Sequence, residues 1–213
     1  MTNEELLNFL SQCVIEGKHV ESEQTTAQLL ANGLTPMTIL DNGLLPGMAV
    51  VGQRFRDGQM FLPQVLVSAR AMKMAMKLLD PILAANNTEP KGRVLIGTVK
   101  GDVHDIGKNL VSVMLQGNGY SVIDIGIQNP VEKYLAAFDQ HKPHIIGLSA
   151  LLTTTMMYMK TVINTFKEKG LTVPIIVGGA PVTQRFADEI GADGFAKNAV
   201  EAVELVNRIL NKK

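Results

Sequence analysis

The apolar positions of this chain repeat with a helical period up to about residue 84 and change character after residue 92. In the first part Leu6, Leu7, Leu10 and Val14 recur at three- and four-residue spacing. So do Ala27, Leu30 and Ala31, and then Leu44, Leu45, Met48, Val51, Gly52 and Phe55. Residues three and four apart share one face of a helix, so each set predicts an amphipathic helix with that face buried. Thr35-Pro36 reads as an N-cap followed by proline at the first helical position, and a further helix is expected from Leu62-Pro63 to Leu79 or Leu83. Together these segments predict a bundle of about four helices.

Beyond residue 92, strand-like runs alternate with helical patterns. The runs are 93–99, 121–125, 144–149, 173–177 and a short one near Gly194-Phe195. Short continuous apolar runs between helices are what a parallel sheet covered on both faces requires. The turn-forming stretch 84–92 separates the two patterns and predicts two domains, a helical one over 1–88 and an α/β one over 89–213. If the strand order is 2-1-3-4-5, the chain reverses direction between the first and third strands. A crevice then opens at their carboxyl ends, where such sheets bind ligands. Its flanks carry Asp102 and His104 on one side and Ser149, Thr153 and Thr155 on the other.

Composition narrows the classes of function. Lys plus Arg equals Asp plus Glu at 20 each, which gives no basic surface for nucleic acid or membrane. The single cysteine, Cys13, rules out an intrachain disulfide and fits a reducing cytoplasm. The start Met1-Thr2-Asn3-Glu4-Glu5 is acidic and unlike a signal peptide, and no apolar run approaches the roughly 20 residues of a bilayer span. The expectation is a cytoplasmic protein.

Taken alone, Asp102-x-His104 reads as a capping aspartate beside a surface histidine. For Gly178-Gly179 taken alone, a strand-ending turn is the lesser alternative to a ligand-site role. A nicotinamide-binding enzyme would carry Gly-x-Gly-x-x-Gly after the first strand, and that loop is absent. A phosphoacceptor domain of the same sheet order would end its third strand in aspartate, where this chain has Ser149. His141 and His144 enter the third strand at the end opposite the crevice and read as structural. Met72, Met74, Met76, Met156, Met157 and Met159 read as packing residues.

Three motifs in order and register change the picture. Asp102-x-His104-x-x-Gly107 is followed after 41 residues by Ser149-x-Leu151, and after 26 more by Gly178-Gly179. This pattern resembles the cobalamin-binding signature of B12-dependent methyltransferases and certain mutases. Upstream, Gly47-Met48-x-x-Val51-Gly52-x-x-Phe55-x-x-Gly58-x-x-Phe61-Leu62-Pro63-Gln64 is similar to the helical cap of methionine synthase and of small corrinoid proteins. The resemblance spans roughly residues 35 to 210. It implies an N-terminal helical bundle cap followed by a flavodoxin-like, doubly wound, five-stranded parallel sheet that binds a corrinoid.

The resemblance also implies roles. The cofactor would be held base-off, with its nucleotide tail in the crevice and His104 as the lower axial cobalt ligand. Asp102 would accept the proton of the second imidazole nitrogen, and Thr155 would bond Asp102 in turn. Val103, Asp105 and Ile106 complete the histidine loop. Gly107, Gly178 and Gly179 would make room for the tail, Ser149, Leu151 and Thr153 would line it, and Ala199 would meet its far end. Phe55, Leu62, Val65 and Leu66 would form an apolar lid over the upper face, with bundle core the lesser alternative for Phe55 and Leu62, because an apolar lid and an apolar core look alike in sequence. The implied protein is a methyl carrier that does not catalyse alone. It would serve a donor-specific methyltransferase (methylamine, quaternary amine, methanol or aryl ether), an acceptor methyltransferase and a reductive activase. A B12-dependent sensor is the alternative, and such regulators usually carry an added output domain.

Overall fold

A computed structural model describes residues 1–85 and 90–210. The chain divides into two compact units, one of residues 1–89 with 117–119 and the other of 90–116 with 120–213. The domain boundary expected at 88/89 falls outside the described residues.

In the helical unit α1 (Asn3–Glu16) starts with a reciprocal cap. Thr2 Oγ1 accepts from Glu5 N at 3.2 Å while Glu5 Oε2 accepts from Thr2 N at 2.8 Å. It ends at Gly17, left-handed at φ +72°, where a Cβ would lie 2.7 Å from Val67 Cγ2. Helix α2 (His19–Ala31) departs from the expected face. Ala27 and Ala31 are exposed and Leu30 is only half-buried, and the buried positions are Ser22, Thr25, Thr26 and Leu29. Small hydroxyl side chains can be buried on a helix when they bond a carbonyl. Ser22 donates to Ala71 O at 3.0 Å and Thr26 to Ser22 O at 2.8 Å.

Thr35 caps α3 (Pro36–Ile39), its Oγ1 accepting from Thr38 N. The helix then widens into a single π turn over 40–44, with Leu45 N bonded to Leu40 O, before α4 (Leu45–Arg56). Pro46 has no N–H to continue the regular ladder at this point. Helix α5 (Leu62–Ala85) buries Val65, Ser68, Met72, Ala75 and Leu79, one face at alternating three- and four-residue spacing. No helix among the described residues is long and apolar enough to cross a membrane.

The second unit is a five-stranded, wholly parallel sheet in the order β2-β1-β3-β4-β5. The strands are β1 (Arg93–Thr98), β2 (Ser121–Asp124), β3 (Ile145–Ser149), β4 (Ile175–Gly178) and β5 (Gly194–Ala196). They alternate with α6 (Ile106–Gln116), α7 (Val131–His141), α8 (Thr153–Met156) with α9 (Tyr158–Glu168), α10 (Gln184–Ile190) and α11 (Ala199–Leu210). Strand β4 starts two residues later than expected, after Pro174, which has no N–H to donate to the ladder. The central strands are buried along their length, and Leu95, Ile146, Leu148, Ile175 and Val177 anchor the core with Phe166 and Tyr134 from the helices. Register fixes what happens at the carboxyl edge: Thr98 pairs with Ser149, Ser149 with Gly178, and Gly178 with Ala196. Loops that start from these four residues therefore emerge side by side.

Candidate functional site

The loop after β1 turns at Gly101, φ +83°, with Asp102 N bonded to Val99 O at 3.1 Å. This turn sends the Asp102 side chain inward, where it is completely buried. Its Oδ1 accepts from His104 N at 3.0 Å and faces His104 Nδ1 at 2.8 Å. Its Oδ2 accepts from Leu151 N at 2.8 Å, Leu152 N at 3.4 Å and Thr155 Oγ1 at 2.5 Å. Burial alone would push this carboxyl up. The donors from Thr155, His104 and Leu151 outweigh it and hold the group far below the usual carboxylate range. Asp102 is thus a fixed anion that ties the loop after β1 to the loop after β3.

A carboxylate only accepts hydrogen bonds, so Nδ1 of His104 carries the proton of that contact. In the neutral ring Nε2 is then an unprotonated lone pair, suited to a metal. The side chain is 44% exposed, whereas its anchor Asp102 is 0% exposed. Among the described residues no three His, Cys, Asp or Glu side chains converge as a metal cage.

The surroundings of His104 are unusual for a protein surface. Six large apolar residues of the α/β unit are exposed among the described residues: Val103, Ile106, Ile127, Leu151, Leu152 and Met157. All lie on the loops after β1, β2 and β3 or at the helix starts that follow. Apolar exposure gathered at one edge marks a binding face. Ile127 and Leu152 interrupt no period and carry no polar signal, so the sequence does not single them out, and Met157, expected to be a packing residue, is instead exposed where the chain passes from α8 to α9.

The three motif glycines differ. At Gly179, φ +130°, a Cβ would sit 1.8 Å from Ala150 O, and at Gly178 it would sit 3.0 Å from Ala196 O. The protein's own backbone demands both. A Cβ at Gly107 meets nothing within 4 Å, although glycine in a helix costs about 1 kcal/mol relative to alanine. The chain's own packing therefore does not require glycine at 107. Gly179→Ala is expected to cost about 3 kcal/mol or more, from strain and clash together. A urea melt that matches wild type would refute this.

Ser149 is half-buried and Thr153 exposed. Neither hydroxyl has a hydrogen-bond partner among the described residues, which leaves both free for a ligand. Asp105 is half-buried and accepts from Asn109 Nδ2 at 3.0 Å, bracing the start of α6. Ala199 opens α11 and is 4% exposed, so only its edge is available. In the helical unit Val65 is buried, Phe55 and Leu62 are half-buried, and Leu66 is exposed beside Phe61 and Val67. His144 lies at the opposite end of the sheet, where its Nδ1 accepts from Arg93 N at 2.9 Å.

Comparison with known proteins agrees with this geometry. A family model described as a B12 binding domain matches residues 92–204, and a second of the same description matches 6–80. The chain is 42% identical over 212 residues to a corrinoid protein of Desulfitobacterium hafniense, covering 97% of this chain and 98% of that one. It is 41% identical over 213 residues to the dimethylamine corrinoid protein of Methanosarcina barkeri, covering 99% and 100%. A solved methanol:cobalamin methyltransferase complex from Methanosarcina barkeri matches with a TM-score of 0.90 and 33% identity, over 98% of this chain and 81% of that one.

Proposed function

The chain belongs to the corrinoid proteins of B12-dependent methyltransferase systems, and from that premise we propose that it carries a methyl group between two partner methyltransferases. The observation that carries the proposal is His104, its Nδ1 held by a buried carboxylate and its ring exposed on a sheet edge that also exposes Val103, Ile106, Leu151 and Leu152. The corrinoid, when bound, supplies the metal chemistry of methyl transfer. The chain's own residues bind, orient and exclude water. His104 Nε2 is the proposed lower axial ligand in a base-off cofactor, and Asp102 keeps the proton on Nδ1 so that Nε2 stays free. Thr155 and the Leu151 and Leu152 amides keep Asp102 ionised.

Val103, Ile106, Leu151 and Leu152 give the corrinoid an apolar seat, and the space beside Gly107 admits its tail. Ser149 and Thr153 are the proposed polar contacts of the tail, with Gly178, Gly179 and Ala199 along the same edge. Phe55, Leu62, Val65 and Leu66 are the proposed apolar cover. No nucleophile or general base for methyl transfer is needed from this chain, so the donor and acceptor sites are assigned to partner methyltransferases. Repair of an oxidised cobalt is assigned to a reductive activase. A methylated amine is the proposed donor class, in keeping with the dimethylamine corrinoid protein among its relatives.

The test is to load the purified protein with hydroxocobalamin, reduce it, and offer dimethylamine, methylamine or methanol with the matching methyltransferase. Tight corrinoid binding and methylation from an amine are expected. Failure to bind corrinoid would overturn the carrier reading, and methylation from methanol alone would overturn the amine.

A further inference from the structure

The histidine loop has a second support that does not involve the Asp102 side chain. Thr98, the last residue of β1, is completely buried, and its Oγ1 donates to the backbone carbonyl of His104 at 3.0 Å. Thr98 is itself held on both backbone groups. Its N–H donates to Gly126 O at 3.0 Å, and its carbonyl accepts from Asn129 N at 3.0 Å and Asn129 Nδ2 at 2.8 Å. Asn129, also completely buried, bonds Gly126 O through the same Nδ2 at 2.8 Å. Next to it Gln128 N donates to Asp102 O at 3.0 Å, and Gln128 adopts φ +54°, a left-handed conformation that non-glycine residues rarely take. The loop after β2 thus bonds the backbone of Asp102 directly and supports that of His104 through Thr98.

The hydrogen bond that Nδ1–H donates to Asp102 fixes one ring nitrogen of His104. It does not by itself fix where Nε2 lies, because that also depends on the position of the histidine backbone. A β-branched residue with few χ1 choices, buried and bonded to that backbone, supplies the second fixed point. We infer that Thr98 is a positioning residue for the metal-ligating nitrogen of His104, and that Asn129 holds Thr98 in place. The inference rests on the corrinoid reading above and deepens it.

Thr98→Val keeps the side-chain shape and removes the donor, whereas Thr98→Ser keeps the donor. Each is loaded with hydroxocobalamin and reduced to Co(II), and electron paramagnetic resonance gives the ratio of histidine-ligated to unligated cobalt. In Thr98→Val the ratio is expected to fall about five-fold, the factor that one net hydrogen bond is worth, while corrinoid stays bound. Thr98→Ser should keep the wild-type ratio. Without cofactor, ¹⁵N NMR of the His104 ring should show the single Nδ1–H tautomer in wild type and in Thr98→Ser, and a mixture in Thr98→Val.

A wild-type ratio and tautomer pattern in Thr98→Val, whatever happens to its melting temperature, would overturn the inference and leave Thr98 a stabiliser of the sheet edge. Should that variant not fold, Thr98→Cys, with a weaker donor, is read in the same two ways. If wild type binds no corrinoid, the carrier reading fails on its own and the NMR comparison still decides whether Thr98 positions the ring.

Discussion

His104→Ala is expected to leave the α/β unit folded and to remove the protein nitrogen from the bound cobalt. The side chain is 44% exposed and contributes one hydrogen bond, from Nδ1 to Asp102. Its loss leaves Asp102 still bonded to His104 N, Leu151 N and Thr155 Oγ1, so no buried charge is stranded. The stability cost should stay within about 1.5–3 kcal/mol, the range for one hydrogen bond to a charged group. The effect on the cofactor should be far larger. Nitrogen hyperfine splitting in the Co(II) spectrum should vanish, and corrinoid affinity should fall about ten-fold or more, leaving only the tail and the apolar seat to hold it. Added imidazole, small enough for the vacated space, should restore part of the splitting. A variant with the wild-type spectrum would show that His104 is not the ligand.

Much of this arrangement was legible in the sequence, for identifiable reasons. The strands of a parallel sheet buried on both faces are continuous apolar runs, so 145–149 could be placed to within a residue. Asp102 and Thr155 lie 53 residues apart, and no periodicity could pair them. The resemblance did, and the structure puts their side chains 2.5 Å from each other. Helix α2 misled because its buried face is built from Ser22, Thr25 and Thr26, which a count of apolar positions takes for the solvent side. The support from Thr98 and Asn129 was not visible at all. Its bonds run mostly through backbone groups, and the left-handed Gln128 carries none of the glycine signal that marks such a turn. Backbone amides leave no mark on composition, so the donors from Leu151 and Leu152 were equally hidden.

Asp102→Asn is expected to damage both stability and cobalt ligation, because one amide cannot satisfy what two carboxylate oxygens accept. With its oxygen toward Leu151 N and Thr155, the amide NH₂ faces His104 N–H, which cannot become an acceptor. It also faces Nδ1, which can accept only if the ring proton moves to Nε2. In the opposite orientation the Leu151 amide meets another donor. Either arrangement should cost about 2–4 kcal/mol. The first also places a proton on the nitrogen meant for cobalt, so ligation should weaken even though His104 is intact. Acid should reveal the charge directly. The carboxyl of Asp102 is depressed in the folded protein, so its stabilisation is complete above the unfolded value of about 3.9 and is lost as pH falls toward the lower folded value. The wild-type advantage over Asp102→Asn, read as the difference in urea midpoints, should therefore be constant above about pH 5 and shrink steadily below about pH 4. A difference that stays the same down to about pH 2.5 would mean that the variant fails through shape rather than charge. It would remove Asp102 as the ionised anchor of His104.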